Sequence, residues 1–231
     1  MGFITESLKT ALALIVSLDR EVFSAVWTSL SVASWSIVFA TLAGVPVGVA
    51  VGLGDFRLKR AVITLLNTLM GMPTVVIGVL VYSFLSRRGP LGGWGLLFTP
   101  KAMIIGQTIL AIPIVASYTV TAVKGADWRI LPTAYTLGAG RVQSMAQLLR
   151  EARFGVMAAV VAGFGRVISE VGVAMMVGGN IRVYTRTMTT AIALETSKGE
   201  FAMGLALGII LMAVALGVNL LLQTLQLGKQ P

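Results

Sequence analysis

Five stretches of this chain are each long and apolar enough to cross a lipid bilayer, and they constrain the fold more than any other feature. A spanning helix needs about 20 mainly apolar residues. The qualifying windows are 24–53, 61–85, 102–123, 154–177 and 201–227. Since 56% of the 231 residues are hydrophobic and only 12% are charged, polar residues cannot cover a globule in water. We expect an all-α, polytopic transmembrane helical bundle with five spans, or six.

The first 22 residues predict a helix that lies on the membrane surface and leads into the first span. Their apolar run, 11–18, lies between Lys9 and Asp19 and is too short to span comfortably. A sixth spanning helix is the alternative. A cleaved signal peptide is disfavoured, because the start is not basic and no small-residue cleavage pattern follows the run. We therefore expect residues 1–231 to form one transmembrane domain.

Three prolines lie inside the predicted spans. Pro46, Pro73 and Pro113 fall within the first three windows. A proline inside a helix removes one backbone hydrogen bond and bends the helix, unless neighbouring helices satisfy the freed carbonyl. This pattern indicates a packed bundle rather than a single membrane anchor.

Composition excludes several classes of chemistry. The chain has no cysteine and no histidine, so disulfides, thiolate or imidazole catalysis and the usual transition-metal sites are not expected, and neither is a cofactor. The net charge of +9 would suggest nucleic acid in a soluble domain. In a membrane protein, excess Lys and Arg instead reflects topology and contact with anionic lipid headgroups. We therefore expect membrane lipid, and no nucleic acid, as a partner.

The distribution of Lys and Arg between the loops predicts the orientation. The first loop, the third loop (124–153) and Lys229 carry nine of these residues, whereas the second and fourth loops carry six. The bias places the third loop and the C-terminus in the cytoplasm, and the N-terminus outside if there are five spans. Arg87 and Arg88, in the second loop, oppose this assignment.

The third loop is polar but has a helical pattern. Val142, Met145, Leu148 and Leu149 recur at spacings of three and four residues. We predict two short helices with 138–140 as their joint, because glycine permits a tight or left-handed backbone there. The segment is either a folded connector on the membrane surface or a docking element for a cytoplasmic partner.

Residues of this loop carry a resemblance. Ala134, Thr136, Leu137, Gly138 and Ala139 match the "A.TLGA" form found in permease subunits of ATP-binding-cassette importers. The chain resembles the molybdate and sulfate group of these permeases, and "ISEVGVAMMVGGNIRVYTRTMTTAI" is most similar to its tungstate-type branch. Pro132 and Thr133 depart from the usual Glu-Ala, and Arg150 with Glu151 replaces a frequent Leu-Pro.

The resemblance implies a type I importer permease in a prokaryotic inner membrane. Such a permease forms a homodimer, receives an oxyanion from an external binding protein and docks a cytoplasmic ATP-binding subunit. The docking segment would be Ala134, Thr136, Leu137, Gly138, Ala139, Gly140 and Arg141. The sequence contains no GxxxxGK[ST] phosphate loop, so hydrolysis would belong to that other subunit. Tungstate is the implied ion, with molybdate or sulfate as alternatives; an ion-coupled secondary transporter is the alternative of another class.

Small residues in two windows favour close helix packing. They are Gly44, Gly48, Gly52 and Gly54 in the first window, and Gly204 with Gly208 in the last. Packing within one chain and contact between two copies explain them equally well.

The fourth window contains a pair of opposite charges. Arg166 and Glu170 are four residues apart and so share one helical face. Because a charge at this depth costs about 3 kcal/mol, we expect the two to pair inside the bundle. The pair either fixes the rotation of the helix or lies at the translocation pathway or gate, with Ser169 and Arg166 as hydrogen-bond donors.

An external segment places cations among hydroxyl groups. Gly178, Gly179 and Asn180 predict a turn, and Arg182, Thr185, Arg186 and Thr187 follow it. Their side chains could donate hydrogen bonds to a tetrahedral dianion, or the segment could be a solvated loop whose arginines contact lipid headgroups. The same two interpretations apply to Arg87 and Arg88.

Overall fold

A computed structural model of the protein describes residues 2–227, and every regular element in that range is helical. This confirms the all-α expectation. The helices are α1 (Gly2–Val16), α2 (Arg20–Leu53), α3 (Lys59–Met70), α4 (Thr74–Leu85), α5 (Pro100–Gly125), α6 (Ile130–Thr136), α7 (Arg141–Glu151), α8 (Arg153–Ile168), α9 (Gly172–Gly178), α10 (Met188–Lys198) and α11 (Phe201–Leu227). A 3-10 turn, Gly92–Trp94, precedes α5.

Three helices, α2, α5 and α11, are each long and apolar enough to cross a membrane alone. Two further spans are broken: α3 and α4 meet at 93°, and α8 and α9 meet at 57°. The first break falls at Pro73, one of the prolines expected to bend its helix, whereas the single helix expected to run through Arg166 and Glu170 is wrong. The count reaches five spans when each bent pair is taken as one crossing.

The sharper break falls between a glycine and a proline. Gly71 follows the end of α3, and Pro73 lies immediately before α4 with ψ at 122°, outside the helical range. A proline cannot donate the backbone hydrogen bond that would continue α3. Pro46 and Pro113, by contrast, lie inside α2 and α5, which continue through them. A glycine two residues before the proline does not decide the outcome, because Gly44 has the same position relative to Pro46.

The N-terminal segment forms the separate helix that was predicted. α1 is 15 residues long, shorter than a span, and packs against α11. The Asp19 carboxylate accepts hydrogen bonds from the amides of Glu21 and Val22, so that α2 begins at Arg20, four residues before the predicted window. A position of α1 on the membrane surface stays a prediction.

The centre of the bundle is the contact between α2 and α5. A Cβ placed on Gly48 would lie 2.6 Å from the carbonyl oxygen of Ala116, and one on Gly44 would lie 3.0 Å from that of Ile112. Gly52 likewise faces Val123. These glycines therefore serve packing within the chain. In α11, Gly204 faces Thr196, whereas the space beside Gly208 is open.

Candidate functional site

The polar third loop folds into a hairpin of two helices, as predicted. We call α6, α7 and the joint between them the coupling hairpin. Gly138 has φ at +83°, a left-handed conformation that favours glycine. Gly140 has φ at −71° and precedes α7, and its amide donates to the Gln143 side-chain oxygen at 2.9 Å. The joint therefore depends on a left-handed backbone at Gly138, which a residue other than glycine would adopt only with strain.

The hairpin is anchored at one end and exposed at the other. Leu148 of α7 is fully buried in a cluster with Ala152 and with Val123, which lies near the end of α5. Val49 and Leu53, near the end of α2, pack beside this cluster. At the tip, Leu137 is 83% exposed and Val142 is 81% exposed. Two apolar side chains are therefore exposed on a segment whose other end is buried against residues of the two central helices.

The remaining expected docking residues lie around this tip. Thr136, Gly138, Gly140 and Arg141 are exposed. Ala134 and Ala139 are half-buried. The structure thus gathers the whole predicted segment on one accessible surface.

Asp127 holds the start of the hairpin. Its carboxylate accepts hydrogen bonds from the backbone amide of Arg129 at 3.0 Å and from the Arg129 guanidinium at 3.1 Å. The backbone hydrogen bond, followed by that of the guanidinium, lowers the pKa of Asp127. The carboxylate is therefore ionised at neutral pH, and it fixes the turn that leads into α6.

The two broken spans lie side by side at their bends. The Thr74 hydroxyl, at the start of α4, would lie 2.6 Å from a Cβ on Gly172, at the start of α9. One turn further, Gly78 packs against Met176. Side chains larger than hydrogen at Gly172 would force the two bends apart.

The ion pair between Arg166 and Glu170 is located at the α8–α9 bend. Arg166 Nη1 lies 2.8 Å from Glu170 Oε2, and the Glu170 side chain is 2% exposed. The expected contact is confirmed, but the expected continuous helix is wrong, since α8 ends at Ile168. The other carboxylate oxygen accepts from the Val173 amide at 3.2 Å and so caps the start of α9.

Two further groups complete this bend. The Thr189 hydroxyl donates to the Glu170 carbonyl at 2.8 Å, which connects the start of α10 to the bend. The Ser169 hydroxyl donates back to the carbonyls of Gly165 and Arg166 within α8. Ser169 therefore uses its proton inside the helix, although its side chain is exposed.

Arg186 is buried rather than solvated. Its guanidinium contacts the carboxylates of Glu21, at the start of α2, and Glu195, in α10. Arg182 pairs with the same Glu21 at 3.0 Å, and Lys198 pairs with Glu195 at 3.1 Å. We call these five residues the ion network. For Arg186 the solvated-loop interpretation is wrong, because its side chain is 8% exposed and pairs with two carboxylates.

Sequence reasoning missed the acidic half of this network. Glu21, Glu195 and Lys198 were not among the expected site residues. The available signal was scarcity: only 9 of the 231 residues are Asp or Glu, so an acid in an apolar segment needs a partner. Which arginine supplies that partner depends on tertiary contacts 165 residues apart in the chain.

The turn before Arg186 is held by threonine. The Thr185 hydroxyl donates to the Gly178 carbonyl at 2.6 Å and accepts from the Ile181 amide at 3.0 Å. Asn180 has a positive φ of 50°, and its buried side-chain oxygen has no hydrogen-bond partner within residues 2–227. Thr187 caps α10. The predicted turn is thus a compact structural element.

Arg87 and Arg88 are not joined to any of these groups. Both side chains are exposed in the loop after α4. Across the described part of the chain, neither takes part in an ion pair.

The coupling hairpin and the ion network lie at opposite ends of α2. Glu21 is in its first turn, whereas Val49 and Leu53 are at its other end. A 34-residue helix is about 51 Å long. The molecule therefore presents one exposed polar hairpin and one charged surface on the two sides of a membrane-spanning bundle.

This arrangement agrees with a family comparison. Residues 44–228 match the family described as "Binding-protein-dependent transport system inner membrane component". The chain belongs to this family. The permease is thus a multi-pass membrane protein, as the five apolar windows predicted.

Individual relatives refine the comparison. The permease is 39% identical over 226 residues to the tungstate uptake system permease protein TupB of Peptoclostridium acidaminophilum, covering 98% of this chain and 99% of the relative. It is 28% identical over 193 residues to the molybdenum transport system permease protein ModB of Azotobacter vinelandii, covering 80% and 85%. The resemblance to the tungstate-type branch is therefore confirmed at the level of sequence.

A solved structure shows the same fold. The inward-facing MetNI methionine ABC transporter contains a chain that superposes with a TM-score of 0.74 at 18% identity, covering 93% of the permease and 99% of that chain. At this identity the likeness concerns the fold alone. The expectation of a type I importer permease fold is confirmed.

Proposed function

We propose that this chain is the membrane-spanning subunit of a tungstate importer that a separate ATP-binding subunit drives. The higher identity to a permease named for tungstate than to one named for molybdenum supports the choice of ion. An external binding protein would deliver the oxyanion. Two copies of the permease would enclose the pathway, since five spans are few for one chain to enclose a pathway.

The observation that carries the proposal is the form of the coupling hairpin. Its exposed apolar tip, Leu137 and Val142, offers a small contact patch on an otherwise polar surface. Its buried end packs on Leu53 of α2 and Val123 of α5. A movement of the hairpin would thus act on the two central helices through this buried cluster.

The proposed orientation follows from this role. The hairpin and the C-terminus face the cytoplasm, where ATP is available, in agreement with the charge bias of the loops. The ion network and the loop containing Arg87 and Arg88 then face outward. There Arg182, with a side chain that is 63% exposed, is accessible to an external binding protein.

The adjacent bends of α3–α4 and α8–α9 are the proposed gate. A bend between two helices is a place where small rotations change a packed contact. Arg166, Ser169 and Glu170 lie there, and Thr189 ties the bend to the outer segment. Because Glu170 neutralises Arg166, this pair is a poor anion site, and ion selectivity falls to the binding protein.

Co-purification with the ATP-binding subunit tests the proposal, and the hairpin provides a matched pair of variants. Gly138→Ala forces a side chain into the left-handed region, which costs about 1–2 kcal/mol. Gly140→Ala adds the same methyl group at a φ of −71°, where alanine is unstrained. Neither Cβ would contact another residue closer than 4.0 Å.

We expect Gly138→Ala to weaken capture of the ATP-binding subunit and Gly140→Ala to leave it near the wild-type level. Equal capture by both variants would mean that the joint conformation is not required for docking. A chain that purifies alone and transports without ATP would instead indicate a secondary transporter.

A further inference from the structure

A set of polar side chains is exposed along the contact between α3 and α5, where an apolar surface is expected. We call this set the polar seam: Thr64, Asn67, Thr68, Ser117, Tyr118 and Thr121. On α3 the members are spaced by three and four residues, as they are on α5, so each helix contributes one face. All are exposed except Ser117, which is half-buried.

The seam lies within two segments that are candidates for crossing the membrane. Asn67 is eight residues from the start of α3, and Ser117 is eight residues from the end of α5. At 1.5 Å per residue each lies about 12 Å along its helix from the end nearer the coupling hairpin. Polar side chains inside a membrane-spanning segment normally face the bundle interior or water, because lipid offers them no hydrogen bonds.

The exposed surface of α5 changes character along its length. Beyond Pro113 the exposed residues are Ile105 and Ile109, which line an apolar cavity of about 640 Å³ between α3, α4 and α5. On the hairpin side of Pro113 the exposed residues are those of the seam. The exposed surface of α11 is instead mainly apolar over Met212, Leu216 and Leu220, and its exposed Asn219 donates to the Ala215 carbonyl within the same helix.

The chemistry of the seam suits an anion without fixing it tightly. The Ser117 hydroxyl donates to the Asn67 side-chain oxygen at 2.5 Å. This bond holds the Asn67 amide in place and leaves its two N–H donors without an acceptor among the described residues. Arg60 and Lys124, both exposed, stand at the hairpin end of the same two helices. Along this surface, the cationic side chains of Arg60 and Lys124 near the hairpin are therefore followed by the neutral N–H donors of Asn67.

We propose that the polar seam is the wall of a water-filled passage, and that the two N–H donors of Asn67 contact the transported tetrahedral oxyanion there. This inference rests on the proposed function for the identity of the ion only. Neutral donors bind a dianion less tightly than a buried arginine would. Such a wall lets the ion move on towards the hairpin side.

Single cysteines test whether the seam is wet, because the chain contains no cysteine of its own. The variants are Asn67→Cys, Ser117→Cys and Thr121→Cys, with Leu216→Cys on α11 as the lipid-facing control. Each is assembled with its ATP-binding subunit in proteoliposomes and exposed to a negatively charged, membrane-impermeant thiosulfonate. Only a thiolate reacts, and a thiol ionises only in contact with water, so the seam cysteines should react at least about tenfold faster than the control.

Labelling as slow as that of Leu216→Cys at all three positions would overturn the proposal and assign the seam to lipid. Slow labelling together with a disulfide between two copies at Asn67→Cys would also overturn it and assign the seam to the dimer interface. This experiment does not depend on which ion is carried, so failure of the tungstate assignment leaves its result interpretable.

A transport measurement tests the contact with the ion. Asn67→Leu keeps a side chain of similar size but removes both N–H donors, and we expect uptake of tungstate to fall several-fold while ATP-binding-subunit capture stays unchanged. Unchanged uptake would overturn the assigned contact. If Asn67→Leu loses both capture of the ATP-binding subunit and uptake, Asn67→Gln separates the two explanations. It restores the amide, so transport should recover if the N–H donors are required.

Discussion

Arg166 and Glu170 form a 2.8 Å ion pair across the end of a helix rather than along one. α8 stops at Ile168, but the Glu170 amide still donates to the Val167 carbonyl at 3.1 Å, so the last turn tightens before the chain bends. The carboxylate then caps α9 through the Val173 amide. Glu170 thus contributes its amide to the last turn of the first helix and its carboxylate to the cap of the second.

We predict that Glu170→Gln keeps the cap on α9 but loses the ion pair with Arg166. The amide oxygen of glutamine can still accept from the Val173 amide, whereas the charge that balances Arg166 is lost. Breaking a buried pair from one side costs about 3–5 kcal/mol, and the partial exposure of Arg166 places this case at or below the lower end. Thermal unfolding in detergent should show reduced stability, and transport should fall while assembly persists.

The double variant Arg166→Gln with Glu170→Gln is the control for this prediction. Because it leaves no unpaired charge, it should be more stable than Glu170→Gln alone. Normal transport by Glu170→Gln would show that the ion pair is not part of the gate and has a purely structural role.

A second prediction concerns the ion network. Arg186→Gln leaves the carboxylates of Glu21 and Glu195 without their shared cation, and Arg186 is itself 7% exposed. We expect the free energy of unfolding to fall by about 1.5–3 kcal/mol, because Arg182 and Lys198 still partner the two carboxylates. Arg182→Gln removes an exposed partner of Glu21 and should cost about 1 kcal/mol or less. Similar losses of thermal stability in the two variants would contradict the network as described.

A third prediction concerns the glycines of the two central helices. Gly48→Ala would bring a methyl group to 2.6 Å from the Ala116 carbonyl oxygen, so α2 and α5 must move apart. We expect a loss of about 1–3 kcal/mol in the free energy of unfolding. Gly208→Ala meets no atom within 4 Å and should be neutral or slightly stabilising, since alanine favours a helix.

The comparison of these two variants separates packing from helix propensity. Both change a helical glycine to alanine, so propensity favours both equally. If Gly48→Ala proved as stable as Gly208→Ala, the glycines of α2 would not be needed for the contact with α5, and their use at a surface between copies would return as the explanation.

Much of the fold could be predicted from hydropathy and local signals. The five apolar windows correspond to the three long helices and the two bent pairs, because length and apolarity are what make a segment able to enter a bilayer. The hairpin was predictable because Gly138 marks a backbone that other residues avoid. Which of the three prolines interrupts its helix was not predictable, since Pro46 and Pro113 lie inside continuous helices, and the break near Glu170 has no proline to mark it.

The candidate site was less accessible to sequence reasoning. The Arg166 and Glu170 contact follows from a spacing of four residues and was predicted. The two carboxylate partners of Arg186 lie on two separate helices, α2 and α10, and no local pattern connects them. The polar seam was also missed, because the few polar residues in each window do not reveal that they share one surface until α3 and α5 are placed side by side.

The most direct test of the account is tungstate uptake into proteoliposomes that hold the purified permease, its ATP-binding subunit and the external binding protein. We predict uptake that requires ATP and the binding protein, is reduced by Gly138→Ala and is maintained by Gly140→Ala. Tungstate uptake by the permease alone, without ATP and unaffected by Gly138→Ala, would contradict the account.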